Sequence, residues 1–195
     1  MNKDYIVLDL ETRDSFQDVR AFDPARLTIS VVGVYDARTN TEHTYRVEEL
    51  PALAELLRGT PRVIGYNLLG FDYAVLKPAF AQIANGASAL DPYTLPTIDL
   101  FDHLQRSLGF RPKLDDVAHA TLGKGKSGDG LQAIRLYQQG NWDALIRYCL
   151  DDVRITRDVY EYGLTHGHVK FPMRNGTVAD IKATWVPQPE QTRLL

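Results

Sequence analysis

The chain has 195 residues, 44% hydrophobic and 24% charged. These ordinary globular values exclude a disordered or collagen-like chain and suit one domain that buries roughly 70% of its unfolded surface. With 22 Lys plus Arg against 25 Asp plus Glu, the formal charge is −3, so the chain does not coat a duplex by charge alone and any nucleic-acid contact has to be local or metal-assisted.

No run of about 18 apolar residues offers a membrane span. The lone cysteine, Cys149, excludes an internal disulfide and fits a reducing compartment. Met1-Asn2-Lys3-Asp4 leads directly into an apolar run containing acids, unlike a signal peptide, so a cytoplasmic protein is expected.

In chain order, Tyr5 to Thr12 predicts a first strand, Leu27 to Tyr35 a second and His43 to Val47 a third, the last two joined as a hairpin by Asp36-Ala37-Arg38-Thr39-Asn40. Leu53, Leu56 and Leu57 mark a short helix closed by Gly59. Arg62 to Tyr66 reads as a fourth strand, followed by a helix from about Phe71 to Ile83 that Pro78 should kink or stop early. Pro96 to Asp99 is a fifth strand feeding a helix through Leu108, and helices follow at Leu114 to Leu122 and Leu131 to Gln138. The longest helix is expected from Trp142 to Tyr162, with Asn141 as N-cap and Gly163 as C-cap. Val169 to Trp185, broken at Arg174-Asn175-Gly176, reads as a β-hairpin, and Pro187 to Leu195 as a tail. The order predicts an α/β fold, a mixed sheet flanked by helices.

Three separate stretches carry carboxylates. Asp9 and Glu11 are two apart on the first strand and share a face, with Ile6, Leu8 and Leu10 on the other. Acids at the end of a buried strand are costly without a cation between them. Asp72 ends Asn67-Leu68-Leu69-Gly70-Phe71-Asp72, between a strand and a helix; by itself it reads as a first-turn acid that suits the helix dipole. Tyr148 and Asp152 are one helical turn apart. With the apolar stripe centred on Trp142 and Tyr160 at 0°, Tyr148 falls at about 240°, Asp152 at about 280° and Asp151 at about 180°. Asp152 therefore borders the packed side, while Asp151 faces solvent. Each piece alone has an ordinary explanation; their order and their elements, taken together, set them apart.

Together, Asp9-Leu10-Glu11-Thr12, Asn67 to Asp72 and Tyr148-x-x-x-Asp152 resemble the DEDD 3′–5′ exonucleases of the ribonuclease H-like superfamily, in the tyrosine-bearing subclass (DEDDy). Lys113-Leu114-Asp115-Asp116-Val117-Ala118 followed by Leu122-Gly123 is similar to the proofreading exonuclease domain of family B DNA polymerases. The resemblance covers about residues 4 to 164. It implies a ribonuclease H-like mixed five-stranded sheet over residues 1–165, with 166–195 as a β-hairpin extension and tail. It further implies that Asp9, Glu11, Asp72 and Asp152 are catalytic ligands of two divalent cations, Mg²⁺ or Mn²⁺, for which hard carboxylate oxygens are suited.

Tyr148, with an unperturbed pKa of about 10, would position the attacking water rather than act as a base. The implied activity is hydrolysis of phosphodiesters from the 3′ end of single-stranded or frayed nucleic acid, DNA favoured over RNA, releasing 5′-mononucleotides. A polymerase or helicase is a candidate partner, and proofreading, DNA repair and trimming all stay open. The alternatives are a ribonuclease H-like endonuclease and a non-catalytic nucleic-acid-binding module.

Candidate substrate contacts are Leu10, Thr12, Asn67, Phe71, Lys113, Lys124 and Lys126. Lys124 and Lys126 lie in a Gly-Lys stretch able to follow a phosphate backbone. Lys170, Arg174 and Lys182 offer a further electrostatic grip on the hairpin, or the hairpin docks a partner. Asp99 reads as a helix cap, Cys149 as core packing, and His166-x-His168 as surface histidines rather than a zinc pair.

Overall fold

The structure, a computed structural model, describes residues 3–83, 89–125 and 131–185. Lys126 and the Pro187 to Leu195 tail lie outside the described residues. Strands β1 (Ile6–Thr12), β2 (Ile29–Asp36), β3 (Thr41–Tyr45), β4 (Val63–Gly65) and β5 (Thr97–Asp99) form one sheet in the order β3-β2-β1-β4-β5. β2 runs antiparallel to both β1 and β3, whereas β4 runs parallel to β1 and β5 parallel to β4. The C-terminal ends of β1, β4 and β5 therefore share one sheet edge, the end at which open α/β sheets place their sites.

The period-2 pattern of β1 divides its side chains. Ile6, Leu8 and Leu10 pack with α1 (Leu50–Arg58) and α2 (Tyr73–Ile83), through Leu53, Leu57, Tyr73, Leu76 and Phe80. Tyr5 and Val7 face the opposite layer, built from α3 (Leu100–Leu108), α4 (Leu114–Leu122) and α6 (Trp142–His166). Continuing that alternation puts Asp9 and Glu11 on the α6 side. A smaller apolar cluster joins Val31 of β2 to Ala133 of α5 (Gln132–Gln138) and to Leu145, Tyr148 and Cys149 of α6.

α2 ends at Ile83 as expected and runs through Pro78, with buried Val75, Leu76 and Phe80 on either side of the proline. The end of α6 differs from expectation, for a packing reason. Gly163 is not the cap of α6. The helix runs one turn further, to His166, and ends at Gly167, whose φ of 73° supplies the left-handed cap. Gly163 is instead a packing glycine: a Cβ there would run into the Trp185 indole, which donates from Nε1 to the Tyr160 carbonyl at 3.1 Å.

The C-terminal strands β6 (His168–Pro172) and β7 (Val178–Lys182) form a separate two-stranded sheet. It lies along α4: the Thr121 hydroxyl accepts from the Lys170 amide at 2.9 Å, and Val169 and Phe171 join the apolar layer beneath. Among the described residues, no helix is long and apolar enough to cross a membrane.

Candidate active site

β1 and α6 meet where β2 carries no side chain. Gly33 lies opposite Asp9 in the β1–β2 register. A Cβ at Gly33 would sit 2.9 Å from Cys149 Sγ and 3.1 Å from Val153 Cγ2, so the glycine lets α6 approach the sheet at the level of Asp9. The result is a cluster in which oxygens of Asp9, Glu11 and Asp152 all lie within 4.8 Å of one another. Asp152 is only 4% exposed. Asp151 points away from the cluster and pairs with Arg154 at 2.7 Å, and Arg154 in turn grips Glu42 of β3. Helical rotation thus puts Asp152 in the cluster and Asp151 against Arg154.

Asp72 arrives from a different direction. After β4 the chain takes Asn67 into the left-handed region (φ 69°) and then makes a single π-helical turn, Leu68–Asp72, before α2. Such wide turns cluster at functional sites. The Asp72 carboxylate is not within the mutual 4.8 Å set; it accepts the Leu10 amide at 3.1 Å, between the two β1 acids. Burial, then the charge of Asp9, push the Asp72 carboxyl well above the usual carboxylate range. Burial likewise pushes the Cys149 thiol up, reinforced by Asp9, Glu11 and Asp152. A fully buried, protonated thiol is core packing, not a nucleophile.

Asp99, read from sequence as a cap, does more. It caps α3 through the Phe101 amide (3.0 Å) and the Asp102 amide (3.4 Å). It also accepts the Asn67 amide at 2.7 Å and the Leu69 amide at 3.0 Å, from the turn that presents Asp72. One carboxylate, 2% exposed, thereby clamps two loops at the ends of β4 and β5. The sequence signal, an acid at a strand end, showed the first pair of bonds only.

Tyr148 is 4% exposed and packs in the Val31 cluster, one turn before Asp152. Leu10 packs in the core beneath β1, and its amide rather than its side chain reaches the site. The Thr12 hydroxyl donates to the Asp14 carbonyl at 2.8 Å. Phe71 is half-buried, edge-on to Phe16. Lys113 is exposed beside α4. Lys124 is engaged by Asp158 at 2.7 Å, and Arg106 by Asp102 at 2.8 Å, so neither projects a bare charge.

A model of the family described as RNase_H superfamily matches residues 7–163. The chain belongs to the RNase_H superfamily. That superfamily is of nuclease type, and the matched span contains all four carboxylates and Tyr148. No curated protein matches this superfamily member. Among solved structures it is similar to the family B DNA polymerase of the hyperthermophilic archaeon Pyrobaculum calidifontis, with 18% identity and a TM-score of 0.62. The match covers 82% of this chain and 24% of the polymerase chain, so the likeness is one of fold.

The clustered donors, Asp9 and Glu11 from β1 and Asp152 from α6, are uniformly carboxylate oxygens, a set that fits a hard divalent cation. The raised Asp72 pKa fixes the sign of a pH effect. In the metal-free protein, stability contributed by the neutral carboxyl is present at low pH and is lost as pH rises through that pKa. A divalent cation selects the ionised form. Saturating Mg²⁺ or Mn²⁺, at about 100 times its Kd, is therefore expected to stabilise the protein by about 2.7 kcal/mol, a Tm rise of roughly 5–10 °C. The rise should be larger at pH 8 than at pH 5.5 by differential scanning fluorimetry. No shift at either pH would argue against a cation site.

Proposed function

We propose that this chain is a metal-dependent 3′–5′ exonuclease that hydrolyses terminal phosphodiesters of single-stranded or frayed nucleic acid, DNA in preference to RNA, and releases 5′-mononucleotides. The observation that carries this is the convergence of Asp9, Glu11 and Asp152 within 4.8 Å, with Asp72 tied to the intervening Leu10 amide.

In this reading Asp9, Glu11, Asp72 and Asp152 hold two divalent cations, Mg²⁺ or Mn²⁺. Bound there, the cations supply charge neutralisation, water activation and leaving-group stabilisation. The protein's own groups do the positioning. The Leu10 amide fixes the Asp72 carboxylate, and the α6 backbone fixes Asp152 one turn from Tyr148. The Tyr148 hydroxyl orients the attacking water as a hydrogen-bonding group. Asn67 and Phe71, on the turn before Asp72, would meet the terminal nucleotide in this reading.

Tyr148→Phe is expected to slow turnover by about 10²-fold, the scale of one positioned proton-handling group, while KM changes little; wild-type rates would assign water orientation to another group. The proposal itself is tested by digesting linear, 3′-blocked and circular oligonucleotides, as DNA and as RNA, with Mg²⁺, Mn²⁺ and EDTA. Release of mononucleotides from free 3′ ends only, and only with metal, is the expected result. Linearisation of the circle would instead make the chain an endonuclease.

A further inference from the structure

We propose that the cleft between the α3–α4 loop and the C-terminal hairpin is a second nucleic-acid subsite, which holds the unpaired strand upstream of the terminal nucleotide. This rests on the nuclease reading and adds to it a binding role for the hairpin.

The cleft has a volume of about 710 Å³ and is lined by Phe110, Arg111, Lys113, Asp116, Met173 and Arg174, among others. Three cations face one carboxylate. Arg111, Lys113 and Arg174 are exposed and make no ion pair among the described residues, unlike Lys124 and Arg106. The Arg111 guanidinium is held over the Phe101 ring at 4.5 Å, so it is ordered before any ligand arrives. Phe110 is 43% exposed and is braced by Phe171 at 5.4 Å between centroids.

An exposed ring beside unpaired cations is the pairing that single strands use: bases stack on the ring while phosphates meet the cations, with no sequence preference needed. An acidic peptide would satisfy the cations but leaves the open ring unexplained.

Position supports the same occupant. The Tyr66 hydroxyl donates to the Pro112 carbonyl at 2.9 Å, which ties one wall of the cleft to the end of β4, one residue before Asn67. The other wall is directed by β6, which bonds to Thr121 near the end of α4 and reaches Phe110 by Phe171. Its turn thus projects toward the start of α4, on the side of the sheet edge that bears the carboxylates.

The test uses the full chain and fluorescein-labelled (dT)12 in EDTA, read by anisotropy across a salt series. Phe110→Ala and Arg174→Glu should each raise the Kd about tenfold, the scale of one stacked base. Arg174→Glu should also lower the slope of log Kd against log salt by roughly 0.7, one phosphate contact on a single strand, while Phe110→Ala leaves the slope unchanged. Arg174→Gln, a gentler change in an exposed turn, should fall between wild type and Arg174→Glu, and thermal melts confirm folding.

Unchanged affinity in both variants, no binding of (dT)12 by the wild type, or capture of an acidic peptide in place of (dT)12 would overturn the subsite. The two failures separate. Metal-dependent cleavage with unchanged (dT)12 affinity removes the cleft and leaves the nuclease, whereas cleft-dependent binding without cleavage does the reverse.

Discussion

Asp9→Ala and Asp152→Ala are each expected to abolish metal-dependent hydrolysis, by about 10³-fold or more, whereas Asp151→Ala should remain close to wild type. Asp9 and Asp152 belong to a three-carboxylate cluster whose members approach within 4.8 Å. Removing either leaves too few oxygen ligands to hold the cations that would neutralise developing charge, and several kcal/mol of transition-state stabilisation corresponds to a loss of that size. Asp151 differs by one residue and about 100° of helix rotation. It faces Arg154 at half-exposed positions, where a pair contributes about 0–1 kcal/mol.

The same substitutions separate chemistry from folding. Deleting one of several mutually repelling acids relieves strain in the metal-free protein, so the Tm in EDTA should hold or rise while the metal-induced increase disappears. Single-turnover digestion of a labelled oligonucleotide, paired with melts with and without Mn²⁺, measures both. Loss of activity in Asp151→Ala with retention in Asp152→Ala would overturn the assignment.

Asp99→Ala should have the second largest effect, although Asp99 is outside the carboxylate cluster. Its carboxylate accepts four backbone amides, two from the start of α3 and two from the turn that carries Asp72. Burial raises its pKa and those amides pull it back, the balance expected of a carboxylate kept for its hydrogen bonds. Alanine leaves the donors without an acceptor, at about 1–3 kcal/mol for each that stays buried, so a total loss of about 3–5 kcal/mol is expected. Where the chain still folds, the Asn67–Asp72 turn loses its anchor, and metal affinity should weaken by roughly 10–100-fold, the scale for residues that orient ligands. Asp99→Asn keeps acceptor capacity and should recover part of both. Thermal melts with a Mn²⁺ titration test this, and wild-type metal affinity in a folded Asp99→Ala variant would confine Asp99 to capping α3.

Much of this molecule is legible along the chain because its signals are local. The alternation of Ile6, Leu8 and Leu10 against Asp9 and Glu11 is a property of seven consecutive residues, and it places the acids correctly opposite the α1–α2 layer. Helical rotation alone distinguishes Asp152 from Asp151. The capping aspartate of α3 and the hairpin at β6–β7 are equally short-range.

The feature misread along the chain depends on a partner distant in sequence: Gly163 looks like a helix end until Trp185 packs against it. The pairing of Lys124 with Asp158, 34 residues later, is another contact that no local signal shows.

Local periodicity and residue chemistry were thus sufficient for the α/β class and the faces of β1 and α6, whereas Asp9, Glu11, Asp72 and Asp152 were singled out together by the resemblance to the DEDD exonucleases. That Asp9, Glu11 and Asp152 form a cluster, with Asp72 tied beside it to the Leu10 amide, was decided in three dimensions. It required Gly33 to omit a side chain so that α6 could close on β1, and Asp99 to bridge the ends of β4 and β5 so that Asp72 reached the Leu10 amide. Such contacts couple residues tens of positions apart through excluded volume and buried hydrogen bonds, and no periodicity within one segment encodes them.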